Sequence, residues 1–233
     1  MSLKKKYVVA FDLDGTLLDS ADDLIYCLNQ ILIEEKQHTM NKKDIFKLLG
    51  NGALAMLKEA YKINNSSSKQ INWDNLKYRF LKIYDSNFNK KSKLFPYTLE
   101  TLKFLKKEKF ICVLVSNKPE YFVKKILKHF DIYKYFDAVS GGDTYSFRKP
   151  DPNHLYETIK KANIMKYNCL FVGDSINDAL CAKRSESKLI LLKHGYSNDD
   201  ISKMGADLIL DDLSRLNEVL SNWRNKVYND AMY

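Results

Sequence analysis

The chain reads as an α/β protein, a doubly wound, Rossmann-like parallel sheet core with an inserted all-helical cap. Three observations predict this. Six short runs rich in aliphatic and aromatic residues recur along the sequence, as in strands buried on both faces. Patterns of helical period lie between them, so strand and helix alternate. From residue 18 to about 93 that alternation stops, and apolar residues recur at helical spacing only.

YVVAFDL (7–13) is the first strand. The insert follows, with apolar sets at Leu24, Leu28, Ile31 and Leu32, at Ile45, Leu48 and Leu49, at Met56, Leu57 and Ala60, and at Leu76, Phe80 and Ile83. Polar NNSSSKQ (64–70) separates two of these sets as a loop. The core resumes near Pro96. LETLKFLKKEK leads as a helix into the strand FICVLVSN (110–117), and YFVKKILKHF into the shorter FDAVSG (136–141). HLYETIKKA precedes CLFVGD (169–174), after which come KLILLKH (188–194), ADLILDD (206–212) and an amphipathic end, SRLNEVLSNWRNKV. The expected division is a core of residues 1–17 and 94–233 and a cap of residues 18–93.

Composition narrows the function. A chain of 233 residues with 45% hydrophobic content can bury an ordinary core. No apolar run approaches the roughly 20 residues that span a bilayer, and the start, MSLKKKYVVAFDLDG, turns acidic before a signal-peptide core forms. The expectation is a cytoplasmic protein without membrane partners. Cys27, Cys112, Cys169 and Cys181 are far apart with no C-x-x-C pair and read as apolar packing. His38, His129, His154 and His194 form no i, i+4 ligand pair and read as surface or packing residues. The net charge of +9 is spread over lysines along the whole chain without a nucleic-acid module, so it predicts a solvated surface that draws small anions.

In an open parallel sheet the ligand sits at the carboxyl ends of the strands, where strand order reverses. The first strand delivers Asp12, Asp14 and Thr16 there; the second delivers Ser116 and Asn117; CLFVGD delivers Asp174, with Asp178 following. Lys149 comes from a separate loop, FRKPDP. Carboxylates from two strands repel unless a cation lies between them, and hard oxygen ligands suit Mg²⁺. Hydroxyl, amide and ammonium donors at Thr16, Ser116, Asn117 and Lys149 suit the free oxygens of a phosphoryl group. Asp12 is placed to attack phosphorus, and Asp14 to protonate a leaving oxygen and then take a proton from water. A lone D-x-D is commonly a turn, and Ser-Asn before a proline commonly a helix cap. Their conjunction at strand ends is what points to catalysis.

FDLDGTLLDS, VSNKP, FRKPDP and VGDSINDA together resemble the four motifs of the haloacid dehalogenase superfamily, over nearly the whole chain. LLGNGALAMLKEA (48–60) and VSGGDTYSFRKPDP (139–152) are similar to bacterial phosphoglycolate phosphatases. The resemblance implies Asp12 as nucleophile and Asp14 as general acid and base. It implies Mg²⁺ on Asp12, Asp174 and the backbone carbonyl of Asp14, with Asp178 supporting the metal shell. Thr16, Ser116, Asn117 and Lys149 would hold phosphate. The sequence departs from the family at two turns: FPYT (95–98) stands where relatives have Pro-Gly, and KRSES (183–187) where they have Ala-Ala-Gly.

The dehalogenases of the superfamily lack an aspartate at the place of Asp14, because halide leaves unprotonated, so Asp14 favours phosphate esters. The expected reaction is Mg²⁺-dependent hydrolysis of a small anionic phosphomonoester through an aspartyl-phosphate, with 2-phosphoglycolate foremost. Other small phosphate esters and a phosphomutase reaction are the alternatives; a non-enzymatic binding protein would have lost one of Asp12, Asp14, Lys149 or Asp174. In the insert, Gly50 can end one helix and Gly52 open the next, so backbone N–H groups around Gly50, Asn51 and Gly52 offer a site for the substrate's second anion. The insert is expected to close over the strand ends, with a dimerisation surface as the rival reading and either a monomer or a homodimer as the assembly.

Overall fold

The computed structural model describes residues 6–41, 50, 52–65, 71–197 and 199–230. The chain opens with β1 (Lys6–Phe11), β2 (Leu18–Asp19), α1 (Ala21–Glu34), α2 (Ala53–Ile63), α3 (Trp73–Asn87) and β3 (Lys93–Leu94). It continues with α4 (Thr98–Lys107), β4 (Ile111–Val115), α5 (Glu120–His129), β5 (Ala138–Ser140), α6 (Asn153–Lys161) and β6 (Tyr167–Gly173). It closes with α7 (Ile176–Arg184), β7 (Lys188–Leu192), β8 (Leu208–Leu210) and α8 (Leu216–Asp230).

Six strands form one parallel sheet in the order β5-β4-β1-β6-β7-β8. Every one of them falls on a run marked in the sequence. Because both faces are covered, successive residues of a strand go to opposite cores: Val9 and Phe11 of β1 join one apolar cluster, Val8 and Ala10 the other. The first cluster takes Leu102 and Leu105 of α4, Val123 and Ile126 of α5, and Leu216 and Leu220 of α8. The second takes Leu155 and Ile159 of α6 and Ala179 and Ala182 of α7. Helices on both faces with β1 in the middle make the doubly wound arrangement, and order reverses between β1 and β6.

Apart from its two short end strands, the regular structure of the insert is helical where it is described, and its apolar sets face inward: Leu28, Ile31, Leu57, Ala60 and Phe80 are buried in the same cluster as the sheet's first face. Ile45, Leu48 and Leu49 lie outside the described residues, as does Asn51. A two-stranded antiparallel ribbon pairs Leu18 with Leu94 and Asp19 with Lys93, tying together the points where the chain leaves and re-enters the sheet layer. Two-residue strands leave no periodic signal, and the sequence does not announce this pair. Asp23, at the start of α1, reinforces it by accepting the N–H groups of Lys91 and Ser92 at 2.9 and 2.8 Å and the Ser92 hydroxyl at 2.7 Å.

Both departures from the family's glycines have a backbone consequence. Tyr97 caps α4 at φ +66°, and Glu186 follows α7 at φ +54°. At both places the left-handed backbone is borne by a residue with a Cβ. Among the described residues no helix is long and apolar enough to cross a membrane. All four cysteines are free and buried, in keeping with a packing role.

Candidate active site

The end of β1 continues its pairing with β6 through Asp12 N–H, which donates to the Val172 carbonyl at 3.1 Å. This sets Asp12 beside the end of β6, where Asp174 begins the turn into α7. Ser175 and Asp178 cap that helix reciprocally: the Asp178 N–H donates to the Ser175 hydroxyl, and Asp178 Oδ2 accepts the Ser175 N–H at 3.0 Å. The cap turns Asp178 back toward the strand ends. Asp12, Asp174 and Asp178 each present an oxygen within 4.8 Å of the others, and all three are buried.

Lys149 reaches into this cluster from the loop before α6. Its Nζ lies 2.8 Å from Asp12 Oδ1 and 2.6 Å from Asp178 Oδ1. The backbone of that loop is held from behind, the Lys149 N–H donating to His154 Nδ1 at 3.2 Å. Asp174 is fixed by the Thr16 hydroxyl on Oδ1 at 2.9 Å and the Tyr196 N–H on Oδ2 at 2.8 Å. Gly15, at φ +88°, passes so close that a Cβ there would sit 2.3 Å from Asp174 Oδ2; no other residue fits.

Burial and the close packing of these charges shift the proton affinities of Asp12, Asp174 and Lys149. Burial pushes the Asp12 carboxyl up to about 6; Lys149 opposes this, while Asp178 and Asp14 add to it. Burial, Asp178 and Asp12 also hold Asp174 well above the usual carboxylate range. For Lys149 burial works against the charge, but Asp12 and Asp178 outweigh it and raise its affinity for the proton. The cluster is short of positive charge and offers only oxygen donors, which is the chemistry a hard divalent cation fits.

Asp14 faces the other side of the floor. Lys118 Nζ lies 2.9 Å from both Asp14 oxygens, and the Ser20 hydroxyl donates to Oδ1. The same ammonium lies 4.7 Å from the centre of the Tyr84 ring on α3. Ser116 accepts the Lys118 N–H on its hydroxyl at 3.3 Å. Asn117 gives its side-chain amide to the Gly50 and Lys149 carbonyls, each at 3.1 Å, so it joins the insert to the Lys149 loop. Asn177 adds a second donor to the Gly50 carbonyl at 3.2 Å.

The insert therefore rests on the strand ends. Between them lies a pocket of about 570 Å³, including its open mouth. Asp12, Asp14, Ser116, Asn117 and Lys118 form its polar floor; Leu24, Met56, Phe80, Leu81 and Phe122 are among its apolar walls, and Gly50 and Gly52 line it. Gly52, at φ +83°, precedes the first turn of α2, and a Cβ there would meet the Asn117 carbonyl at 3.3 Å.

The structure thus brings Asp12, Asp14, Thr16, Ser116, Asn117, Lys149, Asp174 and Asp178 to one end of the sheet, with Gly50 and Gly52 opposite. Thr16 directs its hydroxyl to Asp174, and Asp178 has both oxygens engaged within the cluster. Sequence reasoning did not single out Lys118 or Tyr196. Lys118 was within reach, as the residue after Asn117 in VSNKP, but its partner Asp14 is 104 positions away. Tyr196 had no local signal: its hydroxyl accepts the N–H groups of Ser20 and Ala21, and its own N–H holds Asp174.

The haloacid dehalogenase-like hydrolase family matches residues 9–192. A phosphoglycolate phosphatase of Agrobacterium fabrum is 33% identical over 210 residues, covering 90% of each chain. One from Vibrio cholerae is 34% identical over 94% of this chain and 98% of its own. The crystal structure of a predicted phosphoglycolate phosphatase from Haemophilus somnus superposes with a TM-score of 0.85 at 29% identity, covering 94% of this chain and all of that one. With its Asp12-bearing strand, acidic cluster and buried lysine in the same fold as these proteins, the chain belongs to the haloacid dehalogenase-like hydrolase family.

Proposed function

We propose that this protein is a Mg²⁺-dependent phosphomonoesterase that acts on a small phosphorylated metabolite, 2-phosphoglycolate foremost, and carries the phosphoryl group on Asp12. The observation behind this reading is the pairing of Asp12 and Asp14 on one pocket floor, with Lys149 2.8 Å from Asp12. The names of the relatives support the choice of substrate.

In this reading an Asp12 oxygen attacks phosphorus, the ester bond breaks, and Asp14 gives its proton to the leaving oxygen. Asp14 then takes a proton from the water that attacks the acyl phosphate, which frees phosphate and restores Asp12. Ser116, Lys149 and the backbone N–H of Asn117, whose side-chain amide is engaged by the Gly50 and Lys149 carbonyls, steady the phosphoryl oxygens, and Thr16 orients Asp174 through its hydroxyl. Asp12, Asp174 and the Asp14 carbonyl would hold Mg²⁺, backed by Asp178, and the cation would offset the charge of the phosphoryl oxygens there. Residues 18–93 act as a cap whose closure excludes bulk water, and the N–H groups about Gly50–Gly52 offer donors to the substrate's other end.

The test is phosphate release from 2-phosphoglycolate, glycerol phosphate and ethyl phosphate, with Mg²⁺ and with a chelator. The reading predicts activity only with the metal and the highest kcat/KM for 2-phosphoglycolate. Equal rates under chelation contradict the metal, and equal kcat/KM for ethyl phosphate contradicts the substrate.

A further inference from the structure

Lys118 is unusual among the described pocket-lining residues: it is the one cation, and it is buried. Its ammonium stands at the pocket floor, bound to Asp14 and facing the Tyr84 ring. The walls above it, Leu24, Met56, Phe80 and Phe122, supply no competing donor side chain. A buried lysine is costly unless its charge is used. Pairing with Asp14 uses part of it, but an apolar pocket that opened onto Asp14 with no cation would repel any anionic leaving group.

We propose that Lys118 is the specificity-determining residue of the pocket, its ammonium bridging Asp14 and a carboxylate carried by the leaving group of the substrate. This rests on the phosphomonoesterase reading and adds to it a class of substrate: esters whose leaving alcohol bears an anion within a carbon or two of the oxygen. The charge count favours such a ligand. Once Asp14 has given its proton to the leaving oxygen, it and the carboxylate of the leaving group repel; an ammonium between them turns the repulsion into two charge-assisted hydrogen bonds, strengthened by dry walls. A neutral tail gains nothing from the same group. The Tyr84 ring face limits where the ammonium can go and keeps it aimed across the floor.

A residue that served only to position Asp14 would affect all esters alike, so the test is a ratio. kcat/KM is measured for 2-phosphoglycolate and for ethyl phosphate, which has the same length but no carboxylate, in wild type, Lys118→Met and Lys118→Gln. Circular dichroism checks folding, and the Gln variant keeps a donor for Asp14 should the Met variant unfold. Loss of one charged hydrogen bond predicts that the preference for 2-phosphoglycolate falls about 10- to 100-fold in the neutral variants, mainly through KM. An unchanged ratio, even with both rates reduced, overturns the assignment. A wild type that hydrolyses both esters equally would instead refute the substrate reading beneath it.

Discussion

His154 shows how much a single side chain behind the site carries. It is buried, and its Nδ1 accepts the Lys149 N–H, so it must be neutral to do this work. Burial and then the Lys149 charge push its pKa down from 6.5 to about 3. The folded state therefore refuses a proton that the unfolded chain takes. The stability this represents is complete above about pH 6.5 and is lost as pH falls below it, at up to about 1.4 kcal/mol per pH unit. Asp12, whose affinity for the proton is raised to about 6, works in the opposite direction, so the comparison needs a variant. Urea unfolding between pH 7 and 4.5 is expected to show a shallower decline in His154→Gln than in wild type; parallel curves would mean that His154 does not stay neutral. The sequence left this histidine as a surface or packing residue and the structure buries it, but the bond to Lys149 depends on a loop turning back on itself and was not legible.

At the scale of elements, strands were the most legible, because burial on both faces removes polar residues from them and leaves continuous apolar runs such as LFVG in β6. The ribbon of β2 and β3 was invisible because two residues carry no period. The turns at Tyr97 and Glu186 are between these cases: the missing glycines were visible, but only the structure shows that the positive φ persists without them. Tyr97 is 45% exposed, so its ring gives little in return for the strain. Tyr97→Gly is expected to stabilise the protein by about 0.5–1 kcal/mol, since removal of the left-handed penalty outweighs glycine's extra freedom in the unfolded chain. For a chain of this size that is a rise of roughly 2 °C in Tm, readable by calorimetry, and Glu186→Gly should behave alike. A fall in Tm for both would show that the side chains matter more than the backbone they strain.

For the whole molecule, the distribution of work follows the topology. Strands β1 and β6 lie side by side where sheet order reverses, so residues 162 positions apart in sequence, Asp12 and Asp174, meet without any local device to bring them together. That convergence was legible because strand ends in such sheets share one rim; the contacts of Lys118 and Tyr196 were not, because each links segments whose relative height only packing decides. The helical insert covers the rim, with Asn117 and Asn177 both holding the Gly50 carbonyl. At this rim Asp12 is the proposed nucleophile. This role is tested most directly by rapid acid quench of the enzyme with Mg²⁺ and 2-phosphoglycolate labelled in its phosphate, comparing wild type with Asp12→Asn. The substitution is nearly isosteric and relieves repulsion in the acidic cluster, so folding should hold. Label bound covalently to wild type is expected, with neither bound label nor phosphate release from the variant; turnover by Asp12→Asn at the wild-type rate would rule out Asp12 as the nucleophile.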